Sequence, residues 1–191
     1  MPPSPIRITE ARSAQVALLD INYDAAEKVA SEIGKTALLT AAKYDIFASC
    51  MVNCSGCCGA AISRDKHGET IKVITDVFPF WFTPNFKKYA EKEYEMPFDQ
   101  HYLMASVAPR KVFIVAASED DWADTDAQYL CAEAASEAYK ELGLIGLNPA
   151  KKPLEVGEKN TGGEIAFFVR DGVHFFSRED WAFYIECLSN H

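Results

Sequence analysis

Apolar positions along the chain switch between two periods, and the switches outline its elements. Ala14, Ala17 and Leu18 share one side of a helix predicted from about Thr9 to Leu19. Residues 1–8 are Pro-rich and read as a loose arm, and residues 20–30 fit no single period. Ile33, Ala37, Leu38 and Ala41 recur at helical spacing, with Ser31 where an N-cap would stand. Ile46 to Val52 is an uncharged apolar run, the pattern of a strand buried on both faces. A Gly-containing loop, Ser55 to Gly59, follows it.

Thr83-Pro84 reads as an N-cap and first helical residue, opening a charged helix towards Glu93. Pro97 and Pro109 bracket a short helix around His101. Lys111 to Ala117 is the clearest strand. The next helix carries a Thr125-x-x-Gln128 capping box, a stripe of Leu130, Ala134, Ala138 and Leu142, and Gly143 as its stop. Residues 144–163 read as loop, Glu164 to Arg170 as a strand. Ser177 then caps a last helix whose Trp181, Tyr184, Ile185 and Leu188 face the core. Strands alternating with helices predict a mainly parallel sheet covered on both faces. No internal repeat interrupts residues 9–191, which read as a single domain.

Composition narrows the function classes. The formal net charge is -9 without a Lys/Arg block, which disfavours nucleic-acid binding. With 49% hydrophobic residues, an ordinary packed core is available. No apolar run approaches the roughly 20 residues needed to cross a bilayer, and Met-Pro-Pro-Ser-Pro-Ile-Arg7 holds no apolar signal core. The sequence therefore predicts a soluble chain without membrane partners. Four of the six cysteines, Cys50, Cys54, Cys57 and Cys58, crowd together, which suits neither a secreted disulfide framework nor the paired knuckles of a zinc site. No metal site is predicted.

In parallel sheets, sites form at the carboxyl ends of strands. Cys54, Asp120 and His174 each follow a predicted strand and should meet there. His174 reads as a base or as an exposed loop histidine. Asp120 reads as an orienting acid or as part of a solvated acidic turn preceding a helix.

A longer series of signatures connects these positions: Cys54-Ser-Gly-Cys-Cys-Gly-Ala-Ala-Ile-Ser-Arg64, Gly68-Glu-Thr70, Phe78-Pro-Phe-Trp-Phe82, Asp99-Gln-His101, Ala108-Pro-Arg110, Glu119-Asp-Asp-Trp-Ala-Asp124 and Gly172-Val-His174. In this order the series resembles the C-terminal part of a glucuronoyl esterase, carbohydrate esterase family 15. The resemblance implies a partial α/β-hydrolase fold whose N-terminal strands have no counterpart here. It implies a serine esterase without a cofactor, with Ser31 as nucleophile, His174 as base and Asp120 as acid, Glu119 being the alternative acid. Cys54 stands where some members carry a glutamate as the acid. Lys35, Glu69 and Trp122 match residues that hold the uronate sugar, so the implied partner is glucuronoxylan or a small glucuronate ester. Trp81 reads as core rather than ligand-binding, and His101 is assigned to support rather than catalysis.

The nucleophile segment departs from the family's Gly-x-Ser-Arg-x-Gly-Lys. It reads Val29-Ala-Ser-Glu-Ile-Gly-Lys35, with Val29 for the glycine and Glu32 for the arginine. Val173 and Cys58 each replace a family glycine. These departures keep open a second reading, a truncated or degenerate non-catalytic relative acting at most as a binding or structural protein.

Overall fold

The computed structural model describes residues 34–149 and 155–189. The arm at residues 1–8, the helix at 9–19 and Ser31 lie outside them. The described elements are helix α1 at 34–43, strand β1 (Ser49–Asn53), helices α2 (Ile71–Val77), α3 (Pro84–Lys87) and α4 (Gln100–Ala105), strand β2 (Lys111–Ala117), helix α5 (Thr125–Glu141), strands β3 (Lys159–Asn160) and β4 (Ile165–Arg170), and helix α6 (Arg178–Ser189).

The strands form a sheet in the order β1-β2-β4-β3. β1, β2 and β4 run parallel, and β3 adds an antiparallel edge to β4. The sheet is therefore mainly parallel and flanked by helices, as the alternating pattern predicted. Its alternate residues serve two cores because successive side chains point to opposite faces. Val112, Ile114, Ala116, Ile165 and Phe167 pack with α1, α4 and α5. Phe113, Val115, Ala166 and Phe168 pack with Phe183, Tyr184 and Cys187 of α6. Each large side chain buried this way contributes roughly 2 kcal/mol of transfer free energy. A satellite cluster around Ile71, Ile74 and Met96 takes in Phe78, Trp81 and Phe82, which agrees with the packing role expected of Trp81.

Several elements depart from the hydropathy pattern. β1 begins at Ser49, not Ile46, because the chain turns at Asp45 and Ile46 and leaves Ile46 and Phe47 exposed. The charged helix after Thr83 stops at Lys87 and gives way to turns and a short 3-10 segment, Glu93–Glu95. The loop expected over 144–163 contains β3.

The cap of α5 is Asp124 rather than Thr125. Its carboxylate accepts the Ala127 amide at 2.9 Å, while the Thr125 hydroxyl donates to the Ala117 carbonyl at 2.9 Å. The predicted stripe of α5 is also displaced. Leu130 and Leu142 are 52% and 57% exposed, and the buried line is Ala127, Cys131, Ala135 and Tyr139. Small residues there let the helix lie close to the sheet, and Tyr139 still bonds the Arg110 carbonyl at 2.7 Å. In α6, Phe183, Tyr184 and Cys187 face inward, while Ile185 and Leu188 are exposed.

Arg110 explains one of the sequence signatures without chemistry. Its guanidinium donates to the carbonyls of Ala41, Tyr44 and Phe47, closing the C-terminal end of α1. Asp99 likewise accepts the backbone amides of Ser63, Arg64 and Gln100, tying α4 to the loop after β1.

Candidate active site

Three loops leave the same edge of the sheet, after Asn53 of β1, Ala117 of β2 and Arg170 of β4. They bring Cys54, Asp120 and His174 together, with one polar atom from each lying within 4.8 Å of the others. His174 Nδ1 and an Asp120 carboxylate oxygen are 2.6 Å apart. The other Asp120 oxygen accepts the Ala123 amide at 3.1 Å, which fixes the carboxylate's rotation. Glu119 does not meet the imidazole. Its side chain points to solvent, and only its backbone amide, donating to the Gly172 carbonyl at 2.9 Å, joins the two loops. The Ser118 hydroxyl adds a second tie, donating to Asp171 and accepting the Gly172 amide.

With Nδ1 engaged, Nε2 is the free nitrogen of His174. It is buried and has no hydrogen-bond partner among the described residues. An imidazole held this way is ready to take a proton at Nε2 while the carboxylate balances the charge it gains. Ser31 lies outside the described residues. Gly34, at the start of α1, packs directly on the end of β1: a Cβ there would sit 2.8 Å from the Ser55 Cβ and 2.9 Å from the Asn53 carbonyl. Any larger residue at 34 would push the helix from the loop.

Cys54, Asp120 and His174 have the spacing of metal ligands, but their surroundings oppose a cation. The Arg170 guanidinium lies 3.8 Å from Cys54 Sγ. Burial, more than any other influence, pushes the Cys54 thiol well above its ordinary pKa and so opposes the thiolate a metal needs. Cys57 and Cys58 face each other at 3.6 Å as free thiols. Cys58 has φ +60, in the left-handed region that favours the glycine it replaces in the family pattern.

Residues 66–69 are clipped along the acid loop. Lys66, its side chain fully buried, donates to the Trp122 and Ala123 carbonyls and pairs with Asp124 at 3.9 Å. The His67 amide donates to Asp124 at 2.6 Å, and the Glu69 amide to the Trp122 carbonyl at 3.1 Å. Gly68 has φ +67, and any Cβ would strike the Asp121 carbonyl, so the close approach depends on glycine. Glu69 and Trp122, both singled out by the resemblance, thus stand next to each other. Trp122 is not core: it is 55% exposed at the edge of the site. Lys35 reaches over the Trp81 ring at 5.8 Å.

Burial raises the pKa of Glu69, and the charges of Lys35 and Lys66 only partly oppose this. With the folded pKa above the unfolded one, the stability that Glu69 contributes is complete below the unfolded pKa. It is lost as pH rises through the folded pKa. Glu69→Gln is therefore expected to gain in melting temperature relative to the parent between about pH 4 and about pH 7, as thermal melts at the two pH values would show. A constant difference would contradict the buried-carboxylate account.

His101 is half-buried and stacks obliquely on Tyr102. Burial lowers its pKa, and it takes no part in the Asp120–His174 pair. Arg170, Asp180 and Lys66 were not anticipated. Arg170 ends an apolar strand and Asp180 sits in a first helical turn, where an acid needs no special explanation. Lys66 lies in a charged run that reads as solvated surface.

A mainly parallel sheet flanked by helices, with a histidine–carboxylate pair at its carboxyl edge, is the arrangement of an α/β-hydrolase-type fold. A family model described as "Glucuronyl esterase, fungi" matches residues 22–143, and the chain belongs to the glucuronoyl esterase family. It is 42% identical over 161 residues to "Carbohydrate esterase MZ0003" from an unknown prokaryotic organism, covering 84% of this chain and 37% of that protein. Among solved structures, it superposes on "a promiscuous CE15 esterase from the marine bacterial metagenome" with a TM-score of 0.80 at 43% identity, over 84% of this chain and 40% of that one. The glucuronoyl esterase from Solibacter usitatus gives a TM-score of 0.77 at 34% identity, over 83% and 40%. The chain therefore spans about two fifths of the length of these relatives.

Proposed function

We propose that this chain carries the catalytic centre of a carboxylic ester hydrolase acting on esters of 4-O-methyl-glucuronic acid, the kind that links xylan to lignin alcohols. The observation that carries the reading is the 2.6 Å contact between His174 Nδ1 and Asp120, in a chain of this family, with the opposite ring nitrogen unengaged among the described residues. Relatives named "4-O-methyl-glucuronoyl methylesterase" support the substrate class.

In this reading the Ser31 hydroxyl attacks the ester carbonyl carbon while His174 Nε2 takes its proton. The imidazolium, stabilised by Asp120, returns that proton to the departing alcohol, leaving an acyl-enzyme. Water, deprotonated by the same nitrogen, then releases the uronic acid and Ser31. Lys35 and Glu69 hydrogen-bond the sugar hydroxyls, and the exposed Trp122 offers a ring face and an N–H donor. No cofactor takes part.

Glu32 shapes the expected rate. It replaces the family arginine that lies beside the developing oxyanion, and losing one such donor typically costs about 3 kcal/mol. A slow enzyme is the expected outcome. The alternative, a non-catalytic relative, draws support from Val29 and Glu32.

The test is hydrolysis of methyl 4-O-methyl-glucuronate by the purified chain and by Ser31→Ala. Release of methanol that disappears in the variant supports the proposal. Sugar binding without turnover, or turnover indifferent to Ser31, overturns it.

A further inference from the structure

Arg170 is among the largest fully buried side chains, and the proposed chemistry gives it no role. Its Nη2 donates to the carbonyls of Val173 and Phe175, at 2.7 and 2.8 Å. These two carbonyls flank His174 on either side. Nη1 donates to the Asp171 carbonyl at 2.9 Å, and the guanidinium carbon lies 4.2 Å from the centre of the Phe175 ring. One planar cation thus gathers three carbonyls of a five-residue loop.

The cation is itself anchored. Its Nε stands 3.0 Å from an Asp180 oxygen, with both side chains buried. The second Asp180 oxygen accepts the Asn53 amide group at 2.9 Å and the Ser177 backbone amide at 2.6 Å. The Ser177 hydroxyl in turn accepts the amides of Glu179 and Asp180. The chain of contacts runs from the end of β1, through Asp180 at the start of α6, to the backbone on both sides of the imidazole.

We propose that Arg170 is a positioning residue for His174: its guanidinium holds the 171–175 loop so that Nδ1 meets Asp120 and Nε2 faces the reacting ester. The inference rests on the esterase reading only for its kinetic consequence; the geometric part stands without it. Lysine cannot substitute. A single ammonium cannot reach Asp180 and three carbonyls at once, whereas the forked guanidinium can. The charge is retained in Arg170→Lys, so any effect belongs to the geometry.

The first readout is the low-field NMR resonance of the His174 Nδ1 proton, identified by its loss in His174→Gln. It is expected to be sharp in the parent chain and to weaken or vanish in Arg170→Lys of unchanged circular dichroism. The second is kinetic, with kcat falling about 100-fold in Arg170→Lys and KM staying within about 3-fold, the pattern of a misplaced catalytic group. Persistence of the Nδ1 signal at its parental position in folded Arg170→Lys overturns the proposal. Should that variant not fold, the parent decides. Slowly exchanging, individually resolved Arg170 Nη protons support the clamp, and motionally averaged ones overturn it. A parent with the Nδ1 signal but no turnover would count against the esterase reading and leave the positioning role standing.

Discussion

Replacing His174 by alanine is expected to lower kcat on methyl 4-O-methyl-glucuronate by about 10⁶-fold if catalysis follows the proposed route, and Asp120→Asn by about 10⁴-fold. The two magnitudes differ for a physical reason. In the proposed route His174 is the group that moves the proton, and among the described residues no neighbouring side chain replaces it: burial disfavours the Cys54 thiolate, and the Glu119 side chain is exposed. Asp120 works through the imidazole. Asparagine can donate to Nδ1 and so stabilise the tautomer with its proton on Nε2, the atom required to be an acceptor. The imidazole stays in place in the wrong protonation pattern. Loss of about 10⁴-fold corresponds to about 5.5 kcal/mol of transition-state stabilisation. Both variants should keep the parental circular dichroism. A His174→Ala loss below about 100-fold would exclude the imidazole as the principal base.

Asp180→Ala is expected to produce the largest loss of stability, about 3–5 kcal/mol in urea unfolding. Removing the carboxylate leaves the Arg170 cation in the interior with no counter-charge at 3.0 Å. It also orphans the Asn53 amide and the Ser177 backbone amide. The parent pair itself need not be strongly stabilising, because taking both ions out of water offsets most of their attraction. The cost arises from breaking it on one side. Natural domains are stable by roughly 5–15 kcal/mol, so this substitution puts the fold itself at risk. A loss under about 1 kcal/mol would show that water reaches Arg170 once Asp180 is gone.

Legibility differed from element to element. β2 was readable to the residue because an unbroken apolar run between a proline and an acidic cluster admits few other structures. The stripe of α5 was not. Leucines dominate any hydropathy pattern, yet Ala127, Cys131 and Ala135 face the sheet, because small side chains permit the closest approach. Asp120 was distinguishable from Glu119 only by motif; geometry separates them, one carboxylate at 2.6 Å from the imidazole and the other in solvent. Lys66 carries no motif in the sequence, yet its buried ammonium donates to two carbonyls of the acid loop.

The alternation of the three parallel strands with helices and the meeting of Asp120 with His174 at the sheet's carboxyl edge were determined by the sequence alone, since period and chain order limit where each of these strands must end. The tertiary structure decided which face of each helix is buried and how the histidine loop is held. Those outcomes depend on packing distances and on polar and charged groups brought together from Asn53, Arg170 and Asp180, which are separated along the chain, and no local pattern records them.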